Sequence, residues 1–268
     1  MVSPTLVAIG DNCLDVFVDR DIVTVGGNAL NVAVNWRRAG WNARYFGAVG
    51  DDPQGALLLD VLAATGLDPA DVEKRPGQTA VTLIRAHGGE REFLEEGLGV
   101  GERYSPSPDR YAAALAAAWV HLGTNASPEL VQRLLTDGVR FSLDLSTHFP
   151  SLPLAGVPLV FASAPIETPG SAESLLRAIR AAGAQSAVVT CGAAGAWFDD
   201  GKQVLQIPAL PVEVVDTCGA GDSFIAAFLA EYWLGGCNAQ TALQLAVNSA
   251  AATCRHLGGF PQTPRPRP

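Results

Sequence analysis

Basic residues are few in this sequence. Its 268 residues include 18 Lys and Arg against 27 Asp and Glu, which gives a formal net charge of −9 at pH 7. Proteins bind nucleic acids through basic patches that neutralise phosphates, so this balance argues against a nucleic-acid partner. We expect the partners to be small molecules.

Long apolar runs are missing as well. No stretch reaches the roughly 18 consecutive apolar residues that a bilayer-spanning helix needs. The start of the chain, Met1 to Pro4, lacks the basic residues of a signal peptide. From these absences we predict a cytoplasmic protein with no membrane partner.

Cysteine pairs are also absent from the pattern. The five cysteines are dispersed, odd in number and without a Cys-x-x-Cys pair. Such spacing indicates neither a disulfide framework nor a zinc site. We expect free thiols in packed or half-buried positions.

Segments typical of strands and of helices alternate along most of the chain. Short apolar runs predict strands, and apolar residues at helical spacing predict helices. The predicted strands are residues 6–9, 45–49, 119–122, 140–145, 159–162, 187–190 and 212–215, with a hairpin over 196–207. The predicted helices include residues 28–39, 54–65, 172–182, 221–234 and 239–256. This order predicts an α/β fold with a largely parallel central sheet and helices on both faces.

Two segments interrupt the alternation. Residues 79–84 and 91–94 are rich in β-forming residues and flank Gly88-Gly89, which predicts a hairpin. With residues 16–25, this hairpin is expected to form a small β-sheet lid over about 16–25 and 79–96. We therefore predict one domain over residues 1–260, followed by a loose, Pro-rich tail over 261–268.

The sharpest chemical signal is the string Asp216-Thr217-Cys218-Gly219-Ala220-Gly221-Asp222, where a strand is expected to end and a helix to begin. Small residues let the backbone approach an anion, and the unpaired amides at a helix start point towards it. Asp222, in the same first turn, could accept a proton from a hydroxyl held beside that anion. Alternatively, Asp222 and Ser223 only cap the helix while the glycines form a tight turn.

A second polar group lies near the N-terminus. Gly26 and Gly27 permit a close turn before a helix, and Asn28 offers a donor and an acceptor to a polyol. Asp11 follows the first strand and could share this work. A plain N-cap by Asn28 and a turn-forming role for Asp11 remain open.

These strings resemble the two signatures of the ribokinase-like (PfkB) family of carbohydrate kinases. The resemblance implies a ribokinase-like fold and ATP-dependent phosphorylation of a sugar hydroxyl. In such a kinase Asp222 would be the catalytic base, and the amides of Gly219, Ala220 and Gly221 would form the anion hole. Asp15 matches a sugar ligand of the family, and Gly26, Gly27, Asn28 and Asp11 would lie with it at the substrate.

The resemblance also implies nucleotide and metal contacts. Thr190, Gly192 and Gly195 match a loop beside the nucleotide phosphates, and Asn248 matches a position in the adenine pocket, unless it is a helix-surface amide. The family's Asn-x-x-Glu motif appears as Ala164-Pro165-Ile166-Glu167, which keeps the acid and loses the amide. Glu167 is therefore expected to hold Mg²⁺ through water, with a monovalent cation as a further cofactor. The stretch after Asp144 lacks the basic residue that many relatives carry.

Shorter strings around residues 9–13, 161–165 and 222–226 look most like bacterial fructoselysine 6-kinases. They imply a fructosamine acceptor phosphorylated on its 6-hydroxyl. The ammonium of such a substrate needs carboxylates near the lid, and Glu96 is the expected contact. A solvated, charged hairpin edge is the alternative explanation for the acidic residues there, which are Glu90, Glu92, Glu95 and Glu96.

Other functions stay open at this point. The acceptor could be fructose, ribose or a nucleoside, and a homodimer through the lid is one expected assembly. A nucleotide- or sugar-binding protein with impaired catalysis is an alternative of another class, although such a binder would not need Asp222. A dinucleotide oxidoreductase is disfavoured, because Asp11 follows Gly10 and no Gly-x-Gly-x-x-Gly loop opens the first helix.

Overall fold

The computed structural model describes residues 4–87, 90–147, 154–166, 168 and 170–267. The strands are β1 (Thr5–Ile9), β2 (Cys13–Phe17), β3 (Ile22–Gly26), β4 (Asn42–Gly50), β5 (Val72–Arg75), β6 (Val81–His87), β7 (Glu90–Gly97), β8 (Trp119–Leu122), β9 (Phe141–Asp144), β10 (Leu159–Ser163), β11 (Ala187–Thr190), β12 (Ala196–Asp199), β13 (Val204–Ile207) and β14 (Arg265–Pro266). The α-helices are α1 (Asn28–Arg38), α2 (Pro53–Ala64), α3 (Pro108–Leu115), α4 (Pro128–Thr136), α5 (Ser171–Ala181), α6 (Ala220–Leu229) and α7 (Ala239–Thr253).

A nine-stranded sheet forms the centre of the molecule. Its order is β13-β12-β11-β10-β9-β8-β1-β4-β5. All neighbouring pairs are parallel except β11 with β12 and β12 with β13, which are antiparallel at one edge. The alternation in the sequence predicted this architecture, and the structure confirms it.

Helices cover both faces of this sheet, because successive residues of a strand point to opposite sides. Leu6 and Ala8 of β1 join a core with α1, α2, α6 and α7, whereas Val7 and Ile9 join a core with α3, α4 and α5. Burial on both faces explains why the strands are continuous apolar runs. No helix in the described ranges is long and apolar enough to cross a membrane.

A second, smaller sheet has five strands in the order β14-β3-β2-β6-β7. The hairpins β2–β3 and β6–β7 are antiparallel, and β2 pairs with β6 in parallel. The sheet therefore contains both segments that were predicted to form a lid. Gly88 and Gly89, the expected turn of the β6–β7 hairpin, lie outside the described residues.

The C-terminal tail is not loose, contrary to the expectation. The side-chain amide of Gln262 accepts from the Val25 amide at 2.8 Å and donates to the Val25 carbonyl at 2.7 Å. Arg265 and Pro266 then pair with Val23 and Ile22 of β3. The tail thus covers an edge strand whose unpaired backbone would otherwise face solvent.

The strand predicted over residues 212–215 was wrong. Val214 and Val215 are exposed, and the segment belongs to neither sheet. Pro208 and Pro211 have no amide proton to give to a strand partner. The segment is instead held by the Val215 amide, which donates to the Cys254 carbonyl at 2.8 Å.

Asp52 connects the second sheet to the main one. Its carboxylate caps α2 through the Gly55 amide at 2.8 Å. It also accepts from the amide of Thr79 at 2.8 Å and from the Thr79 hydroxyl at 2.6 Å, just before β6 begins. Partial burial opposes ionisation of Asp52, but these donors outweigh it and lower the pKa of the carboxyl.

We expect Asp52→Ala to reduce the free energy of unfolding by at least about 2 kcal/mol, because the cap of α2 is lost and the buried Thr79 amide is left unpaired. Urea unfolding would measure this. Asp68→Ala is the matched control: exposed Asp68 caps a single 3₁₀ turn through one bond, from the Ala70 amide at 2.9 Å. Equal losses in the two variants would contradict the anchoring role of Asp52.

Candidate active site

Asp222 is held by two asparagine side chains. Its Oδ1 accepts from Asn28 Nδ2 at 2.6 Å, and its Oδ2 accepts from Asn31 Nδ2 at 2.7 Å. Asn28 and Asn31 are three residues apart on α1 and therefore share one face of the helix. The contact brings the start of α1 against the start of α6, where Asp222 lies in the first turn.

Two further carboxylates meet at Asn28. Asp144, at the end of β9, accepts from the same Asn28 Nδ2 at 2.8 Å and from the Ser146 amide at 2.9 Å. Asp11, just after β1, accepts from the backbone amide of Asn28 at 2.7 Å. The expected N-cap role of Asn28 is thus taken by Asp11, and the Asn28 side chain is directed to the carboxylates.

Burial and mutual repulsion disfavour ionisation of these acids. Burial raises the pKa of Asp222 to about 8; the charges of Asp144 and Asp11 add to the rise, and the Asn31 and Asn28 bonds oppose it. Burial likewise raises the pKa of Asp144 to about 7, with Asp11 adding to the effect. The pKa of Asp11 is also raised, mainly by burial. Carboxyls of this kind exchange protons near neutral pH, as a catalytic base must.

A cavity of about 220 Å³ opens beside Asp222. Its polar lining consists of oxygen and amide groups, from Asn28, Thr124, Asp144, Ser146, Ser163, Thr190 and Asp222. The Oδ1 atoms of Asn28 and Asn31 are buried and accept no hydrogen bond from any residue within the described ranges. Acceptors left unmet in this way suit a ligand that brings hydroxyl donors.

The start of α6 lies at the rim of the same cavity. No side chain caps this helix start, and no described residue accepts from the amides of Gly219 or Gly221. The Ala220 amide differs, since it donates to the Thr217 carbonyl over a long 3.3 Å. Of the three predicted anion-hole amides, those of Gly219 and Gly221 are therefore the better placed to receive an anion.

Asp216 fixes the loop that leads into α6. It is buried, and it accepts from the Cys218 amide at 3.0 Å and from the Gly258 amide at 2.8 Å. Gly219 has a positive φ of 69° and packs directly on Gly259. This packing leaves no room for a side chain at position 219. The contact fixes the position of the loop relative to the turn at residues 258–259.

The second, five-stranded sheet approaches the site at Asp15, Gly26 and Gly27. A Cβ at Gly26 would lie 3.0 Å from Asp15 Oδ2, and one at Gly27, with its φ of 112°, would overlap the backbone of Asn12. Asp15 is buried on β2 and approaches Cys218 of the α6 loop, with 3.7 Å from its Oδ2 to the sulfur. The two glycines thus allow the second sheet to approach α1 closely.

A small recess of about 40 Å³ is lined partly by β6 and β7 of the second sheet. Its carboxylates are Asp11, Glu96 of β7 and Glu102, and the repulsion from Glu96 contributes to the raised pKa of Asp11. Asn12 also lines the recess; its Oδ1 is buried and without a donor among the described residues. Glu96 and Asp11, both predicted substrate contacts, therefore line the same recess.

The residues predicted to contact the nucleotide are separated in the structure. Thr190 lines the main cavity, and its hydroxyl lies 3.0 Å from that of Ser163. Gly192 and Gly195 shape the following turn, where the Gly195 carbonyl accepts from the Cys191 amide at 2.8 Å. Asn248 is exposed on α7, accepts from Gln244 at 3.2 Å and does not line the cavity. Glu167, the expected metal contact, lies outside the described residues.

Sequence reasoning gave no role to Asn31, Asp144, Thr124 or Ser163, which the structure places at the site. For Asn31 a signal was available, because a second asparagine three residues after Asn28 faces the same way. Asp144 lies near the end of the predicted strand 140–145, and polar residues at the carboxyl ends of parallel strands converge. Ser163 follows the predicted strand 159–162 in the same way, whereas Thr124 carries no comparable signal, because single hydroxyl residues in loops are common.

The two glycines flanking Ala220 should respond differently to a methyl group. Gly219→Ala is expected to lose at least about 2 kcal/mol of unfolding free energy, since it combines a positive φ with overpacking against Gly259. Gly221→Ala should fold with unchanged stability, because a Cβ there meets no atom within 4 Å. Urea unfolding of both variants measures this difference. A similar loss in both would contradict the geometry of the α6 start.

Comparison with known proteins identifies the family of this chain. A profile of the pfkB family of carbohydrate kinases matches residues 18–136 and 159–265. The chain is 35% identical to fructoselysine 6-kinase of Escherichia coli over 265 residues, covering 96% of this chain and 99% of that protein. It is 31% identical to a fructosamine kinase of Bacillus subtilis over 263 residues, covering 95% and 92%.

Solved structures show the same fold at lower identity. Arabidopsis thaliana ribokinase, complexed with ribose and ATP, superposes with a TM-score of 0.81 at 19% identity, covering 96% of this chain and 94% of that one. Ribokinase of Thermotoga maritima superposes with a TM-score of 0.79 at 16% identity, covering 97% and 96%. The fold is therefore ribokinase-like, and with the family profile and these identities the chain belongs to the pfkB family of carbohydrate kinases.

Proposed function

We propose that this ATP-dependent sugar kinase phosphorylates the 6-hydroxyl of a fructosamine such as fructoselysine, with Asp222 as the general base. The observation that carries the proposal is the setting of Asp222. Its carboxylate is fixed by Asn28 and Asn31 at 2.6 Å and 2.7 Å, beside a cavity and next to the open amides of a helix start. Base and anion site thus lie side by side.

In this mechanism Asp222 accepts the proton of the acceptor hydroxyl as the hydroxyl oxygen bonds to the γ-phosphorus of ATP. The bond from that phosphorus to the β–γ bridging oxygen breaks, and ADP leaves. The Gly219 and Gly221 amides, with the weaker help of Ala220, stabilise the charge on the transferred phosphoryl group. The pKa of about 8 for Asp222 suits a base that must take up a proton near neutral pH. The open acceptors Asn28 Oδ1 and Asn31 Oδ1 would orient sugar hydroxyls, together with Asp15 and Asp11.

Magnesium is the metal that this lining fits. Mg²⁺ prefers oxygen ligands and keeps several waters when it binds nucleotide phosphates. Hydroxyls of Thr124, Ser163 and Thr190 and the carboxylate of Asp144 line the cavity, and no cysteine does. Bound Mg²⁺ would neutralise charge on the ATP phosphates, with Glu167 as its proposed contact through water. A monovalent cation stays a prediction.

The nucleotide is proposed to run from this cavity along the β11 end towards α7. Thr190 would contact the phosphates, while Gly192 and Gly195 allow the turn beside them. Asn248, exposed on α7, would reach the adenine from the solvent side. These positions follow the family pattern, and the open α6 amides support the phosphate end of it.

The acceptor class rests on two arguments. The relatives described above act, by their names, on fructoselysine and fructosamines. In this chain the recess under the lid gathers the carboxylates of Asp11, Glu96 and Glu102 with the open Oδ1 of Asn12. Carboxylates together with one acceptor that has no donor suit the secondary ammonium of a fructosamine, which fructose and ribose lack.

The second sheet is proposed to act as the lid of a single kinase domain over residues 1–260. It supplies Asp15, Gly26 and Glu96 to the substrate side. Closing over the sugar would exclude water that otherwise hydrolyses ATP. A homodimer through this lid is part of the same proposal.

Asp222→Asn should reduce turnover by about two orders of magnitude or more, since the base is lost, while ATP affinity stays unchanged. ADP release at saturating substrates and calorimetric titration with ATP would measure the two effects. The control is Asp137→Asn: Asp137 follows α4, does not line the cavity beside Asp222, and accepts from the Tyr111 hydroxyl at 2.6 Å. If phosphoryl transfer is the rate-limiting step and Asp222→Asn keeps near wild-type turnover, the assignment of Asp222 as the base is wrong.

A fructosamine site should prefer fructoselysine to fructose and to ribose by more than tenfold in kcat/KM, equal to about 1.4 kcal/mol. Glu96→Gln should narrow that preference, because a carboxylate facing the ammonium is neutralised. Glu95→Gln is the matched control, since its neighbour Glu96 lines the recess and Glu95 does not. Equal kcat/KM values for all three sugars would be compatible with the kinase assignment and would contradict the fructosamine assignment.

A further inference from the structure

One amide group serves two carboxylates in the site. Asn28 Nδ2 donates to Asp222 Oδ1 at 2.6 Å and to Asp144 Oδ2 at 2.8 Å. A side-chain amide has two protons, so both bonds form at the same time. Asp144 and Asp222 therefore do not compete for a proton of this amide. A shift of either carboxylate would turn the Asn28 amide and so change its hydrogen bond to the other carboxylate.

Asp144 is the more firmly fixed member of this pair. It is 6% exposed, lies at the end of the central strand β9, and has its second oxygen held by the Ser146 amide at 2.9 Å. Asp222 is half-buried and lies in the first turn of a helix. The orientation of Asn28, and through it that of Asp222, is thus set from the strand side.

We propose that Asp144 is a positioning residue for phosphoryl transfer: through the shared amide of Asn28 it orients the carboxylate of Asp222 and places a second negative charge beside it. This inference rests on the proposed role of Asp222 as the base. Asp144 does not need to touch the acceptor hydroxyl for either effect. Nothing in the sequence pattern had assigned it a role.

The charges around the pair give the proposal a measurable consequence. The titratable groups that face Asp222 are Asp144 from β9 and Asp11 from the end of β1. No Lys or Arg within the described ranges forms an ion pair with any of the three. A like charge disfavours ionisation, so Asp144 raises the pH at which Asp222 loses its proton.

Asp144→Asn removes the charge and leaves one oxygen, which keeps the bond from the Asn28 amide and gives up the bond from the Ser146 amide. The titration midpoint of Asp222 should then fall by about one pH unit. Asp144→Ala removes both the charge and the acceptor. It should lower the midpoint and also reduce kcat at high pH, where the base is fully ionised and only its orientation matters.

Carboxyl ¹³C NMR of the free protein tests the first effect without any substrate. The Asp222 signal is assigned by its absence in Asp222→Asn, and its midpoint is compared among wild type, Asp144→Asn, Asp144→Ala and the remote control Asp137→Asn. A lower midpoint in both Asp144 variants and an unchanged one in the control supports the proposal. An unmoved or raised midpoint in Asp144→Asn overturns it, whatever the enzyme phosphorylates.

Kinetics then tests the positioning role. For the acceptor found by ADP release, log(kcat/KM) at saturating MgATP is followed against pH. We expect the acid limb of Asp144→Asn to shift to lower pH, and the high-pH plateau of Asp144→Ala to lie at least about tenfold below that of Asp144→Asn. Equal plateaus for the two variants would overturn positioning through Asn28.

Discussion

The pair of hydrogen bonds from the side-chain amides of Asn28 and Asn31 to the Asp222 carboxylate is the interaction on which the site depends. It joins the first turns of α1 and α6, while the Trp36 indole, donating to the Ala226 carbonyl at 2.9 Å, joins the same two helices further along. Because a buried carboxylate is costly unless donors satisfy it, these amides keep Asp222 ordered. Burial, which these hydrogen bonds only partly offset, raises the pKa of Asp222 to about 8, so that the carboxylate can take up a proton near neutral pH.

The rest of the site is arranged around that carboxylate. Asp11 accepts from the backbone amide of Asn28 and so fixes the position of the first residue of α1. Gly219 packs on Gly259 and so fixes the position of the first turn of α6. The described residues place acids and hydroxyls here without a basic partner. In the proposed function the ligands bring the positive charge, as Mg²⁺ with the nucleotide and as the ammonium of a fructosamine.

Much of this could be predicted from the sequence. Continuous apolar strands and helical spacing predicted the parallel sheet, and the Gly-Ala-Gly-Asp string located the start of α6. Features that depend on tertiary contacts could not be predicted: the tail pairs with β3 because Gln262 reaches Val25, and the 212–215 segment is held by the Val215 amide on the Cys254 carbonyl instead of joining a sheet. The hydrogen bond between Asp144 and Asn28, which spans 116 residues, could not be predicted either.

The central claim is that the Asp222 carboxylate takes the proton of the acceptor hydroxyl. Single-turnover phosphoryl transfer, followed by rapid quench across pH in wild type and in Asp222→Asn, tests it most directly. The account predicts a wild-type rate that rises about tenfold per pH unit on the acid side and levels off once the base is ionised, and a variant rate without that rise. The same acid-side slope in both proteins would contradict the claim.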